Sequence, residues 1–308
     1  MNGYSKLIIL SIVIIVIFVI VYFVVLKNDE DEKDVASKEL SLKINSINEY
    51  ISNDKIDIGE KINIPLYYIN LDRSEDRRKT LESQLKDTTV NARRVPAVDG
   101  KKINLKSGTY LDNGKIINYK IENFEKCPNN KYSESEIACT MSHIIAIDTA
   151  YKNGDELALI VEDDVFLGLS SLWKEDLKTL VDKAPENWGI IQLCIGASRD
   201  IDLEDVRKRG FFRFLHGYGT VAYIVNKQGM KSFSHFFNNS NIDIINDNFT
   251  GIYADGLIYE NIENKNLGAY VIFPRFIPNN EKNKSTIFNS DCHDTIKFAS
   301  LIIDYYLK

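Results

Sequence analysis

Residues 158–164 read Ala-Leu-Ile-Val-Glu162-Asp163-Asp164, a short apolar run ending in three consecutive carboxylates. Clustered carboxylate oxygens are the ligands a hard divalent cation selects, and such a cation would in turn hold a phosphate-bearing substrate. In open α/β sheets ligands collect beyond the carboxyl ends of strands, which is where this triplet would sit. The competing reading is a strand that runs out into a solvated turn, since Asp is a common turn former. Choosing between them depends on the elements around the triplet.

Those elements alternate. Pro65-Leu-Tyr-Tyr-Ile69 reads as an apolar strand running into Asn70-Leu71-Asp72-Arg73, and Ser74 opens a charged helix to about Leu85. Val90 to Val98 is strand-like and ends at Asp99-Gly100, a turn signal. Residues 101–132 read as hairpin or loop. Ser133 and Glu136 have capping-box spacing, which predicts a helix to about Tyr151, with Gly154 stopping it. The strand into Glu162 follows, then a helix over 171–183, a strand over 189–194, a strand over 218–225, a short helix over 227–237, a strand over 269–273 and an amphipathic helix over 295–307. This order predicts an α/β domain with a mostly parallel central sheet covered on both faces.

Leu7 to Leu26 are twenty residues rich in Ile and Val, interrupted only by Ser11 and Tyr22. The run has the length of a bilayer span, and no small-residue cleavage site follows it. The expectation is a tail over 1–6, a transmembrane signal anchor over 7–26, a polar stem over 27–62, and one domain over 63–308. The favoured topology is single-pass type II, with the domain lumenal (endoplasmic reticulum or Golgi) or in an equivalent compartment. Net charge is −6 with no basic cluster, which argues against a nucleic-acid partner. Cys127, Cys139, Cys194 and Cys292 lack zinc spacing and are too few for a disulfide framework. Buried free thiols are expected, or a Cys127–Cys139 bridge in an oxidising lumen.

Five ordered stretches are similar to glycosyltransferase family 25, which contains lipooligosaccharide and collagen hydroxylysine galactosyltransferases. They are Tyr68-Ile-Asn-Leu-Asp-Arg73 with Arg77-Arg78, Ala97-Val-Asp-Gly100, Ser135 to His143, Leu159 to Val165, and Gly217 to Tyr223. The family usually has glycines where this chain has Ser135 and Ala138, and a Gln near Glu281. The resemblance implies a GT-A-type fold that binds a UDP-sugar with Mn²⁺ or Mg²⁺ and transfers a hexose, galactose or glucose, with inversion. The hydroxyl acceptor would sit on a glycan, a protein or a lipid-linked sugar.

Within that resemblance Glu162-x-Asp164 has D-x-D spacing. Asp164 is the expected direct metal ligand and Glu162 the second metal candidate, with Glu162 or Asp163 facing the ribose or a coordinated water. Asn70, Asp72, Arg73 and Arg77 follow the first strand, where a nucleotide approaches the backbone and an arginine can meet phosphate. Arg77 reads equally well as part of a solvated helix face. Asp99-Gly100 is a donor-binding candidate or only a turn, and His143 a site residue or a satisfied structural histidine. An inverting reaction needs a carboxylate to take the acceptor proton. Asp255 is the candidate and Glu260 the second, against a turn Asp before Gly256. The rival functions are an inactive adhesion or scaffold module and a metal-dependent phosphoesterase.

Overall fold

The computed structural model describes residues 32, 34–104, 107–112, 115–121, 133–195, 203–213, 219–238, 241–244, 253–279 and 293–308. In chain order, helix α1 (34–54) precedes strand β1 (Leu66–Asn70), helix α2 (Glu75–Leu85) and strand β2 (Ala92–Pro96). Strands β3 (Ile103–Asn104), β4 (Thr109–Asp112) and β5 (Lys115–Ile121) form antiparallel hairpins, the first of the two readings left open for this stretch, and helix α3 (Glu134–Lys152) follows. Next come β6 (Leu157–Glu162), β7 (Val165–Phe166), α4 (Leu177–Val181), β8 (Trp188–Gln192), α5 (Leu203–Arg209), β9 (Phe212–Arg213) and β10 (Ala222–Asn226). The chain then runs through α6 (Lys227–Lys231), β11 (Phe237–Asn238), β12 (Asn241–Ile244), α7 (Ala254–Asn264), β13 (Gly268–Val271), β14 (Ile277–Pro278) and α8 (His293–Tyr306).

Seven strands form the central sheet in the order β2-β1-β6-β10-β8-β13-β9. Helices on both faces exclude water from both sides of the middle strands, so β1, β8 and β10 show almost no alternation of polar and apolar residues. One face packs on α3 and α7, through residues such as Met141, Ile144 and Leu257. The other packs on α2 and α4, through Leu81 and Leu177. The α/β class is as expected, but the sheet is mixed. β2, β1 and β6 are parallel, as are β8 and β13, whereas β10 runs against both of its neighbours and β9 against β13. The reversal of β10 has a geometric cause: Thr220 enters it beside Glu162, so the chain starts this strand at the edge where β6 ends.

The polar segment read as a stem carries an ordered helix. Leu40, Ile44 and Ile47 of α1 are buried against Ile296, Ala299, Ile302 and Ile303 of α8, with Phe166 and Ile277 between. Lys43 bridges to Asp304 (2.7 Å) and donates to Ser300 Oγ (2.7 Å). The spacing of three to four residues was the visible signal; the charged residues around it masked its strength.

The transmembrane part of the expected architecture is corrected. Among the described residues no helix is long and apolar enough to cross a membrane. The proposed anchor over 7–26 lies outside them. A membrane anchor, type II topology and a membrane partner therefore play no part below.

Two expected helices are broken. The stretch 171–183 divides into a 3₁₀ turn (Gly168–Leu172) and α4, because Asp176 caps the Thr179 amide and starts a new helix. The stretch 227–237 divides into α6, a 3₁₀ turn and β11. Helix α3 has both hydrogen bonds of the Ser133–Glu136 capping box and gives way to Gly154 at a φ of +79°.

Candidate active site

The carboxyl ends of β1 and β6 lie side by side, Ile69 pairing with Glu162. The acidic triplet is not a solvated turn, and its members point to different partners. Glu162 turns toward α3 and β10: its Oε1 accepts from Thr220 Oγ1 (2.8 Å) and lies 3.5 Å from His143 Nε2. Asp163 is buried, accepts from Asn70 Nδ2 (2.6 Å) and meets Arg77 (2.6 Å). Asp164 meets the same guanidinium (2.5 Å), and its Oδ1 is buried without a hydrogen-bond partner. Its carbonyl accepts from the backbone of Asn279.

These environments separate the three carboxyls electrostatically. Burial drives the Asp164 carboxyl up to about 7, against the opposing pull of Arg77 and with help from the charges of Glu162 and Asp163. Burial also raises Asp163, although Arg77 and Asn70 pull it down. Glu162 is pushed up by burial too, but the hydrogen bonds from His143 and Thr220 outweigh this and hold it below the usual carboxylate range. Arg77, itself buried, is held charged by Asp164 and Asp163.

Helix α2 brings Arg77 over the end of the sheet. Asn70 is held by Arg94, whose Nε donates to Asn70 Oδ1 (3.1 Å) and whose Nη2 donates to the Asn70 carbonyl (3.1 Å) and meets Asp72 (2.5 Å). The hydrogen bond from Arg94 keeps the Asp72 carboxyl low. Arg73, half exposed, pairs with Asp99 (3.1 Å), which also caps the turn at Lys101. Gly100 has a packing requirement of its own: a Cβ there would lie 2.9 Å from the Cα and N of Ser135, at the start of α3. His143 is 1 % exposed, with Tyr223 Oη 3.1 Å from Nδ1, so it braces Glu162 from beneath. A small cavity of about 70 Å³ is walled by Arg73, Arg77, Gly100, His143, Glu162 and Asp163, together with Ala138 and Cys139 of α3.

Asp255 reaches the same place from the far end of the chain. It lies in the first turn of α7; its Oδ2 accepts from the Gly219 amide (3.3 Å) and its Oδ1 from the Gly256 amide (2.9 Å). Gly219 adopts a φ of +100°, which side-chain-bearing residues rarely adopt. Its carbonyl accepts from Gln192 Nε2 (2.9 Å) and Tyr259 Oη (3.3 Å). Two consecutive residues, Gly219 and Thr220, thus tie Asp255 to Glu162. Cys139 sits among Glu162, Asp255 and Asp164: burial first, and then these three charges, push its thiol well up. Cys139 and Cys194 are free thiols, while Cys127 and Cys292 lie outside the described residues, as does Glu281.

Glu260 is five residues further along α7, about 140° around the helix axis from Asp255. Sequence reasoning passed over Arg94, Thr220 and Tyr223. Arg94 sits in an arginine pair inside a strand, where charge reads as an edge feature; Thr220 and Tyr223 were noted only as part of a motif.

Residues 63–250 match the family model described as glycosyltransferase family 25 (LPS biosynthesis protein). The chain belongs to glycosyltransferase family 25. It is 25% identical over 172 residues to human procollagen galactosyltransferase 2, and the mouse protein of that name is 27% identical over the same length. Each alignment covers 53% of this chain but only 26% of the relative, so this family 25 chain matches about a quarter of those proteins.

The donor atoms of this family 25 chain can be tested against the cation that its family suggests. Among the described residues no group of three or more His, Cys, Asp and Glu side chains has the arrangement of a complete metal site. A partial site does exist. Asp164 holds a buried, unpartnered carboxylate oxygen beside Asp163, a hard donor pair that fits Mn²⁺ or Mg²⁺ when substrate phosphates complete the shell. Arg77 meets both carboxylates and offsets one of their two charges.

Proposed function

We propose that this chain is a hexosyltransferase that moves galactose or glucose from a UDP-sugar to a hydroxyl acceptor, with inversion. The observation that carries this reading is the bridge Asp255–Gly219–Thr220–Glu162, which sets one carboxylate apart from the acidic triplet but within the same site. An inverting transfer needs this division of labour, with one acidic group for the acceptor proton and a separate cluster for the diphosphate. The acceptor hydroxyl would belong to a glycan, a protein or a lipid-linked sugar.

Asp164 would hold a Mn²⁺ or Mg²⁺ ion, with Asp163 or Glu162 as the second donor. Bound there, the ion would neutralise charge developing on the UDP diphosphate. Asn70 fixes Asp163 by its hydrogen bond, and His143 with Thr220 fixes Glu162, so neither carboxylate needs to reorganise when the donor arrives. Arg73, half exposed and paired with Asp99, would reach a phosphate oxygen. Asp255 takes the proton from the acceptor oxygen as that oxygen attacks the anomeric carbon, and the sugar–phosphate bond breaks on the opposite side.

A donor screen tests the proposal. The full chain is incubated with UDP-galactose, UDP-glucose and related donors, and released UDP is scored with Mn²⁺ present and with chelator. Metal-dependent UDP release from a hexose donor is expected. No release from any donor by a folded protein that also fails to bind UDP would favour the scaffold reading.

A further inference from the structure

A second cavity, of about 760 Å³, shares no lining residue with the one beside the triplet. Its size falls in the range of ligand pockets and far exceeds that of the cavity beside Glu162. One wall is aromatic: Phe211, Phe273, Tyr305 and Tyr306. The Phe273 and Tyr305 rings lie 4.3 Å apart at 49°, and Tyr306 meets them at 64° and 81°. No two of these three rings are parallel, so they cannot sandwich a flat base. A faceted apolar wall suits the C–H face of a puckered sugar ring.

The polar side of the cavity is cationic in a chain whose net charge is −6. Among the described lining residues, Lys174, Lys183, Arg207, Arg275 and Lys308 stand against Glu175 and Glu204. Both acids are already used: Glu175 by Arg275 (3.0 Å) and by Lys183, and Glu204 by Arg207 (2.8 Å). Arg207 also lies over the Tyr305 ring, 5.5 Å from its centre. Lys174 and Lys308 have no ion pair among the described residues. The cavity therefore joins an apolar ring-binding wall to two uncommitted positive charges.

Its floor includes Ile272, Phe273 and Arg275, the residues that follow β13 at its carboxyl end. β13 is parallel to β8 and three strand steps from β6, so this edge lies about 14 Å across the sheet from Glu162. A few linked sugars span that distance. We propose that the cavity is a second ligand site, which takes an anionic saccharide, carboxylated or phosphorylated, and holds the distal part of a charged acceptor. The site stands on its own lining; its assignment to an acceptor rests on the transferase reading above.

The test is titration calorimetry on the full chain with three probes: a uronic-acid disaccharide, a disaccharide phosphate and their neutral counterpart. At least one charged probe is expected to bind ten or more times tighter than the neutral one. The double variant Lys174→Glu, Lys308→Glu should weaken that binding at least tenfold, while the double variant Lys38→Glu, Lys86→Glu, an equal charge change at exposed positions away from the cavity, leaves it unchanged. UDP binding should be the same in all three proteins. Equal binding of charged and neutral probes, no binding of any probe at millimolar concentration, unchanged affinity in the double variant, or displacement of the bound probe by UDP would each overturn the proposal. Charged-probe binding that persists in a protein releasing no UDP from any donor would keep the site and remove the transferase reading.

Discussion

Arg77 acts as a cation built into the site, and replacing it with Met exposes what it balances. The guanidinium meets Asp163 at 2.6 Å and Asp164 at 2.5 Å, and the exposures of the three side chains are 12, 7 and 17 %. Methionine keeps much of the volume and removes the charge, leaving two adjacent buried carboxylates with Asn70 as their one side-chain donor among the described residues. Removing one partner of a buried ion pair costs about 3 to 5 kcal/mol, because the remaining charge is left uncompensated. Urea unfolding at pH 8 in chelator should show a loss of that size. Lowering the pH should shrink it, since protonation relieves the repulsion and the Asp164 carboxyl is already pushed to about 7 with Arg77 present. If the pair also accepts a divalent cation, Mn²⁺ at a hundred times its dissociation constant should restore about 2.7 kcal/mol in the variant. Wild type, where Arg77 already offsets one of the two charges, should gain less. A variant within about 1 kcal/mol of wild type in chelator would refute the account of Arg77, and a Mn²⁺ effect no larger than in wild type would refute the metal reading.

Asp164→Asn should change stability with pH. The native carboxyl takes up its proton near 7, while the unfolded one does so near 3.8, so wild type gains stability as pH falls through 7 and the variant does not. In chelator the stability of the variant relative to wild type should rise as pH rises from about 4 to 7; a flat difference across urea unfolding series at several pH values would contradict this. Asp255→Asn should lower transfer on the order of a hundredfold and leave UDP affinity intact, whereas Glu260→Gln should change neither transfer nor UDP affinity; near-normal turnover by the first variant moves the base elsewhere. Ile44→Ala should destabilise the fold by about 2 to 5 kcal/mol, as expected for a core position, and an effect below 1 kcal/mol would show that α1 is only loosely docked.

Most of the strands were legible because burial on both faces leaves an unbroken apolar signature: Leu66 to Ile69, Ala158 to Val161 and Ala222 to Val225 could hardly be anything else. Helix α3 was equally plain from its cap. The direction of β10 was not, since an apolar run such as Ala222 to Val225 looks the same whichever way it runs and only its neighbours set its sense. Helix α7 was hidden by Asp255-Gly256, a pair that signals a turn when read locally but here forms a first helical turn, with Leu257, Ile258 and Ile262 buried behind it. Within the site, the triplet and Asn70 could be found from their place at strand ends. The pairing of Arg77 with Asp163 and Asp164 could not be read, because sequence spacing carries no information on which way a helix turns its arginines.

The partnership of α1 with α8 joins residues that are far apart in the chain: Lys43 and Ser300 are separated by 257 positions. A ribosome adding 5 to 20 residues per second needs roughly 13 to 50 s to cover that interval. Throughout that time Leu40, Ile44 and Ile47 have been made but their docking surface has not. The sheet can begin to assemble around β1, β2 and β6 while this first helix still presents an uncovered apolar stripe. Nascent chains should therefore depend on a holding chaperone until α8 emerges, and truncations lacking α8 should aggregate through α1.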